Sequence, residues 1–113
     1  MGMGRAKTTK MSPSEGEIQR SILTLLEIRK IPSARINSGQ IFTGRYKVKL
    51  APEGFPDILF FFKGVHAVEV KRPGKGLEPA QIEWRDILTK QGVGHLVAYS
   101  VEDVSGYINA LIR

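Results

Sequence analysis

Polar and apolar positions along the chain follow two different periods. Ile18, Ile22, Leu25 and Leu26 stand at i, i+4, i+7 and i+8, the stripe of an amphipathic helix. Ser14 or Ser12 can cap a helix beginning near Glu15, and Pro32 disfavours a helical Ile31, so the helix is expected to stop before Pro32. At about 100° per residue, Glu15 lies in line with Ile18 and Ile22, whereas Glu17 points well away. From Ala34 to Leu50 the period shortens to that of strands: ARIN, then QIF and RYKVKL, a hairpin tipped by Thr43-Gly44. Arg45, Lys47 and Lys49 alternate with Tyr46, Val48 and Leu50, so one face of the second strand is basic. An ordinary solvated strand face explains that alternation equally well.

Strands are expected at 58–62 and 65–71, with a turn around Lys63-Gly64 between them. Arg72-Pro73-Gly74-Lys75-Gly76 reads as a loop. Pro79 fits the first turn of a helix running to about Gln91, with Gly92 ending it. HLVAYS at 95–100 is a buried strand, and VEDVSGYINALIR is a closing helix despite Gly106. The coarse order is αβββαβ with a C-terminal helix and no internal repeat, an α/β fold with a mixed central sheet.

The stretch FPDILFFFKGVHAVEVKRPG, residues 55–74, sets ionisable residues into a mostly apolar hairpin. In strand 65–71, Val68 and Val70 face one way, and Ala67, Glu69 and Lys71 the other. A loop centred on Gly64 pairs Asp57 with Lys71 and Leu59 with Glu69, on one face. A two-residue Lys63-Gly64 turn puts Asp57 on the other face, so the clustering of these residues predicts a three-residue loop or a bulge. In that register two carboxylates and an ammonium converge. Paired hard-oxygen carboxylates suit Mg²⁺ or Mn²⁺, and a neighbouring lysine can hold an attacking water or offset developing charge. The competing reading is a structural salt bridge of Lys71 with Glu69 or Asp57.

Composition narrows the partners. The chain has 113 residues, 42% hydrophobic, which suits one compact unit, and a net charge of +6 favours a polyanion such as nucleic acid. No run approaches the ~18–20 apolar residues of a membrane span. Residues 1–13 are basic, lack an apolar signal core and read as a disordered arm ahead of a single domain at 14–113. Without cysteine there is no thiolate metal site and no disulfide framework, as an intracellular, cytoplasmic location allows. His66 and His95 sit in expected strands and read as structural; Trp84, Ile87 and Leu88 have helical spacing and read as core or dimer interface. Phe60, Phe61 and Phe62 read as core, although three consecutive residues cannot share one face, and an outward Phe hints at self-association. No Walker-type phosphate loop is present.

Pro56-Asp57 followed by Glu69-Val70-Lys71 resembles the PD-(D/E)xK nuclease signature. More narrowly, the chain resembles VRR-NUC domains, the virus-type replication-repair nucleases, in their small stand-alone, phage-like form. The supporting stretches are EGEIQRSILTLLE, RINSG, GFPD, EVKRPG and LEPAQIEWRDILTKQG, spread over about residues 14–100. The resemblance implies a restriction-endonuclease-like core, with Asp57, Glu69 and the Val70 backbone carbonyl as metal ligands and Lys71 as the catalytic lysine. It assigns the first-helix acid to Glu15, as a catalytic and metal-binding residue, and the active-site glutamine to Gln81. A surface amide in the first helical turn is the other reading of Gln81. Arg35, Asn37, Ser38 and Gly39 match a family segment near the site and are expected at DNA phosphates. Arg45, Lys47, Lys49, Arg72 and Lys75 are further candidate DNA contacts. The family often has glycine then Ser or Ala before the first aspartate; here Phe55-Pro56 fills that place.

The implied activity is Mg²⁺- or Mn²⁺-dependent endonucleolytic cleavage of structured DNA, foremost a four-way (Holliday) junction cut by a homodimer. Alternatives are a nick, flap or single-strand nuclease of the same fold, a non-catalytic DNA-binding module, and a basic protein whose acidic trio is only a salt-bridge cluster.

Overall fold

The structure is a computed structural model that describes residues 12–36, 40–43, 46–49 and 51–113, with the backbone alone over 40–43 and 46–49. Most of the expected N-terminal arm, and the candidate contacts Asn37, Ser38 and Arg45, lie outside the described residues.

Helix α1 spans Glu15–Ile28. Its start is fixed by a reciprocal cap: Ser14 Oγ accepts from the Glu17 N–H, and Glu17 Oε1 accepts from the Ser14 N–H. The chain then forms β1 (Ser33–Arg35), β2 (Gln40–Thr43), β3 (Tyr46–Lys49), β4 (Ile58–Phe61) and β5 (Val65–Val70). Helix α2 (Pro79–Lys90), β6 (Gly94–Ala98) and α3 (Val101–Ile112) complete the fold. Pro79 opens α2, where no amide hydrogen is needed, and Gly92 follows its last turn with φ of +85°.

The main sheet has the order β1-β4-β5-β6, and β2 and β3 make a separate two-stranded sheet. With that hairpin set aside, the core runs αβββαβα. β1, β4 and β5 are antiparallel neighbours, whereas β5 and β6 are parallel, so the sheet is mixed. The crossover between the parallel strands is α2. β2 and β3 form the expected hairpin, with Thr43 paired to Tyr46 as its last rung rather than standing at its tip.

The β4–β5 register refines the expectation in one respect. Phe61 stands opposite Val65, so the loop is the three residues Phe62, Lys63 and Gly64, centred on Lys63 rather than on Gly64. Lys63 and Gly64 both take positive φ, +52° and +109°, which lets the chain reverse one position earlier. The pairings move by two residues and faces are preserved: Leu59 stands opposite Ala67, not Glu69. Past Ile58 the plain register is not kept: the Asp57 N–H donates to the Val68 carbonyl, already the partner of Ile58, so Asp57 is not brought opposite Lys71.

One face of the sheet, with Ile58, Phe60, Val68 and Val70, packs against Ile18, Ile22 and Leu26 of α1 and Val104 and Ile108 of α3. His66 closes this layer structurally: its ring stacks on Phe60 and hydrogen-bonds the Tyr107 hydroxyl (2.8 Å) and the Phe62 carbonyl (3.0 Å). Of the three phenylalanines, Phe60 is buried, Phe62 is half-buried, and Phe61 is the outward one. Among the described residues no helix is long and apolar enough to cross a membrane. Phe60 has no exposed surface and touches both halves of this layer. Phe60→Ala should lower unfolding free energy by about 3–5 kcal/mol; urea denaturation would refute this central role if the loss stayed below ~1 kcal/mol.

Candidate active site

The opposite sheet face holds the chemistry. Ala67 and Glu69 alternate with Val68 and Val70 along β5, so they face away from α1 and toward the side covered by α2. Glu69 is 3% exposed and Lys71, one residue past the strand, 7% exposed.

Asp57 is held by backbone on three sides. Its N–H donates to the Val68 carbonyl (3.0 Å), and its carbonyl accepts from the Ile36 N–H (2.7 Å). Its Oδ2 accepts from the Val70 N–H at 2.8 Å. Val70 lies beyond the last β4 rung, so the Asp57 side chain takes the place of the missing strand partner. Because N–H and C=O of an extended residue point the same way, the Val70 carbonyl faces this edge too.

Gln81, in the first turn of α2, completes the group. Its Nε2 donates to Glu69 Oε2 at 3.0 Å, while its Oε1 accepts from the Glu78 N–H at 2.8 Å. The alternative of a surface amide is therefore corrected: Gln81 ties the helix start to Glu69. That leaves Glu69 Oε1, which is buried and has no hydrogen-bond donor.

The electrostatics follow from burial. Desolvation and the Asp57 charge push Glu69 up to about 8, against an ordinary 4.5, with Lys71 partly opposing. Desolvation also raises Asp57, while the Val70 N–H and the hydrogen bond with Glu69 work the other way. The raised Glu69 favours its protonated form at neutral pH, and its Oε1 has no partner among the described residues. Lys71 is near enough to lower both carboxyls, yet among the described residues the one ion pair is Arg85–Asp86 on α2. The acidic trio is thus not a salt-bridge cluster.

Glu15 lies at the margin. Its Oε2 accepts from the Arg72 N–H at a long 3.4 Å, and its charge raises both Asp57 and Glu69. Glu17 is committed to the cap of α1, a role the Ser14-x-x-Glu17 spacing encodes. Among the described residues no three or more acidic or histidine side chains gather closely enough to enclose an ion. The site offers two carboxylates, one with a buried unpaired oxygen, and this donor set fits a divalent cation that takes its remaining ligands from carbonyl, water or substrate oxygens.

The basic candidates are dispersed. Arg35 donates from Nε to Gln19 Oε1 (3.2 Å) and is exposed, as are Arg72 and Lys75. Lys47 and Lys49 lie on β3, whose backbone alone is described. His95 stands on β6 near Arg85 of α2, and burial there holds it below its ordinary range. An open groove of about 880 Å³ between α1 and the start of α3, lined by Ile18, Leu25, Ile28 and Val101, holds none of the charged trio.

Three residues not assigned to the site from sequence stand beside it. Gly54 has φ of +85° and meets the Ala80 backbone, and the Phe55 ring packs edge-on to Trp84, with centroids 5.0 Å apart. Trp84 and Leu88 face inward, half-buried, whereas Ile87 is 42% exposed and so is not core.

Solved structures that share this fold include these two. One, described as a VRR_NUC domain, is 22% identical, with a TM-score of 0.63 over 84% of this chain and 94% of that one. The other, described as a VRR_NUC domain protein, is 21% identical, with a TM-score of 0.58 over 88% of each chain. No protein-family model and no curated protein matches the sequence. The chain therefore has the fold of these VRR_NUC domains, the mixed α/β core expected from its motifs.

The raised Glu69 carries a pH signature. Its unfolded side chain ionises near 4.5 and its folded one near 8, so the native state binds more protons between these values. Stability must fall as pH rises through that window and is unaffected by this group below it. In metal-free buffer the melting temperature should drop further between pH 5 and 8 for the wild type than for Glu69→Gln. Parallel pH dependence in the two proteins would rule out the raised Glu69.

Proposed function

We propose that the protein is a metal-dependent endonuclease that hydrolyses phosphodiesters in DNA, with Asp57, Glu69, Lys71 and Gln81 at its centre. The observation that carries the reading is the orphaned Oε1 of Glu69 beside Asp57, in the fold of VRR_NUC domains. Asp57, Glu69 and the Val70 carbonyl would hold the cation, with Glu15 reaching it directly or through water. A bound Mg²⁺ or Mn²⁺ supplies Lewis acidity, offsetting phosphate charge and making water a stronger nucleophile near neutral pH.

The chain's own groups do the rest. Gln81 fixes Oε2 of Glu69 and so leaves Oε1 for ligation. The Val70 N–H fixes Oδ2 of Asp57 and leaves Oδ1 in the same way. Lys71, free of an ion pair among the described residues, orients the attacking water and offsets charge on the phosphate as the water oxygen bonds to phosphorus. Hydrolysis breaks the opposite P–O bond; the attacking water gives up one proton to solvent, and the departing oxygen takes one from solvent.

Arg35, Arg72 and Lys75, with Asn37, Ser38, Arg45, Lys47 and Lys49, would contact backbone phosphates and make binding steeply salt-dependent. The preferred substrate in this reading is a four-way junction, recognised by shape and cut by a homodimer with one site per strand. The outward Phe61 and Ile87, 44% and 42% exposed, support self-association. A nick, flap or single-strand preference is the second reading, and a monomer in solution would favour it.

A labelled four-way junction, linear duplex, flap and single strand would be incubated with Mg²⁺ or Mn²⁺. Symmetric junction cuts are expected, reduced to background by Asp57→Asn with Glu69→Gln and by roughly 10²- to 10³-fold in kcat for Lys71→Ala. Cutting of the other substrates alone would discard the junction preference. Binding without cleavage under both metals would replace the enzyme with a DNA-binding module.

A further inference from the structure

Asp57 and Gln81 both stand beside the Glu69 carboxylate, Asp57 from a loop and Gln81 from a helix. Their spacing must be set by whatever joins that loop to α2. Helix α2 buries no residue completely and packs on the main sheet chiefly along β6. Its half-buried residues, Ala80, Gln81, Trp84 and Leu88, form one helical stripe, and Trp84 is the largest of them.

Two contacts connect this stripe to the loop. At Gly54 the loop backbone lies so close to α2 that a Cβ there would stand 2.5 Å from the Ala80 carbonyl carbon and 2.6 Å from its oxygen. The positive φ of Gly54 and this approach both demand glycine. One residue on, Phe55 meets Trp84 edge-to-face at an interplanar angle of 75°, a favoured aromatic geometry. Pro56 is fully buried and leads directly into Asp57. The lever arms are short: Phe55 is two residues from Asp57, and Trp84 one helical turn from Gln81.

We propose that Gly54, Phe55 and Trp84 form a clamp that fixes the Asp57 loop against α2, and that Trp84 is thereby a positioning residue for the hydrolysis proposed above. The inference rests on that reading for its catalytic consequence, though not for its structural one. The Gln81–Glu69 bond is 3.0 Å long, and a shift of about 1 Å would break it and release the oxygen that Gln81 directs; misplacement on that scale costs on the order of 10²-fold in rate.

The test compares wild type with Trp84→Ala, Trp84→Phe and Gly54→Ala. The side-chain amide signals of Gln81 are followed by ¹⁵N NMR, and steady-state cleavage of the preferred DNA is measured with Mg²⁺ or Mn²⁺. Trp84→Ala and Gly54→Ala should move the Gln81 signals toward those of a solvated amide. They should lower kcat by roughly 10- to 100-fold with KM changed less than about threefold. Trp84→Phe keeps an edge-to-face partner and should recover most of the rate.

Unmoved Gln81 signals in both variants would overturn the clamp. So would a raised KM at unchanged kcat, which would make Trp84 a substrate contact. If Trp84→Ala does not fold, Gly54→Ala decides with the emission of Trp84, the sole tryptophan: a red shift supports the clamp and an unchanged spectrum refutes it. If the wild type cuts no DNA, the nuclease reading fails, and the Gln81 signals alone decide the clamp.

Discussion

Bringing Glu69 next to Asp57 behind a sheet costs free energy, because burial strips water from both carboxylates and each repels the other's charge. Much of the local architecture answers that cost. The Val70 N–H and Gln81 Nε2 each neutralise one oxygen, Lys71 contributes charge without closing an ion pair, and one oxygen of Glu69 stays unpaired. A core optimised for stability alone would place an apolar side chain there. An uncompensated acid at the end of two adjacent strands is the feature on which the proposed cation site rests.

The same interaction bears on the rival explanations. A salt-bridge cluster would have Lys71 within ion-pair distance of a carboxylate, and among the described residues it is not. The fold shared with VRR_NUC domains gives the arrangement a context. The inward groups, not the scattered surface cations, distinguish this face from the rest of a basic protein.

Much of this was legible in the sequence because it depends on period and parity. Strand alternation put Glu69 and Lys71 on one face, and the parity of a three-residue loop put Asp57 with them. The centre of that loop was less legible, since Lys63 and Gly64 both tolerate turn conformations and a shift by two residues keeps every face. Helical angle favoured Glu15 over Glu17, and the reciprocal Ser14–Glu17 cap found in the structure agrees with it. What could not be read were contacts between distant segments. Gly54 looks like any turn glycine until Ala80 lies against it, and Trp84 like a core residue until Phe55 meets its ring. The outward turn of Ile87 likewise depends on which face of α2 meets the sheet.

The β2–β3 hairpin departs after β1 and the chain returns to form β4, at neighbouring positions of the main sheet where Arg35 stands opposite Ile58. Its two strands pair with each other and add no rung to that sheet. An excursion whose ends are already joined by a ladder can lengthen, shorten or change its charge without altering the register that holds Asp57. The molecule thus separates two kinds of evolutionary freedom. Its carboxylates are bound to one geometry by the sheet, whereas the β2–β3 ribbon can change without disturbing them.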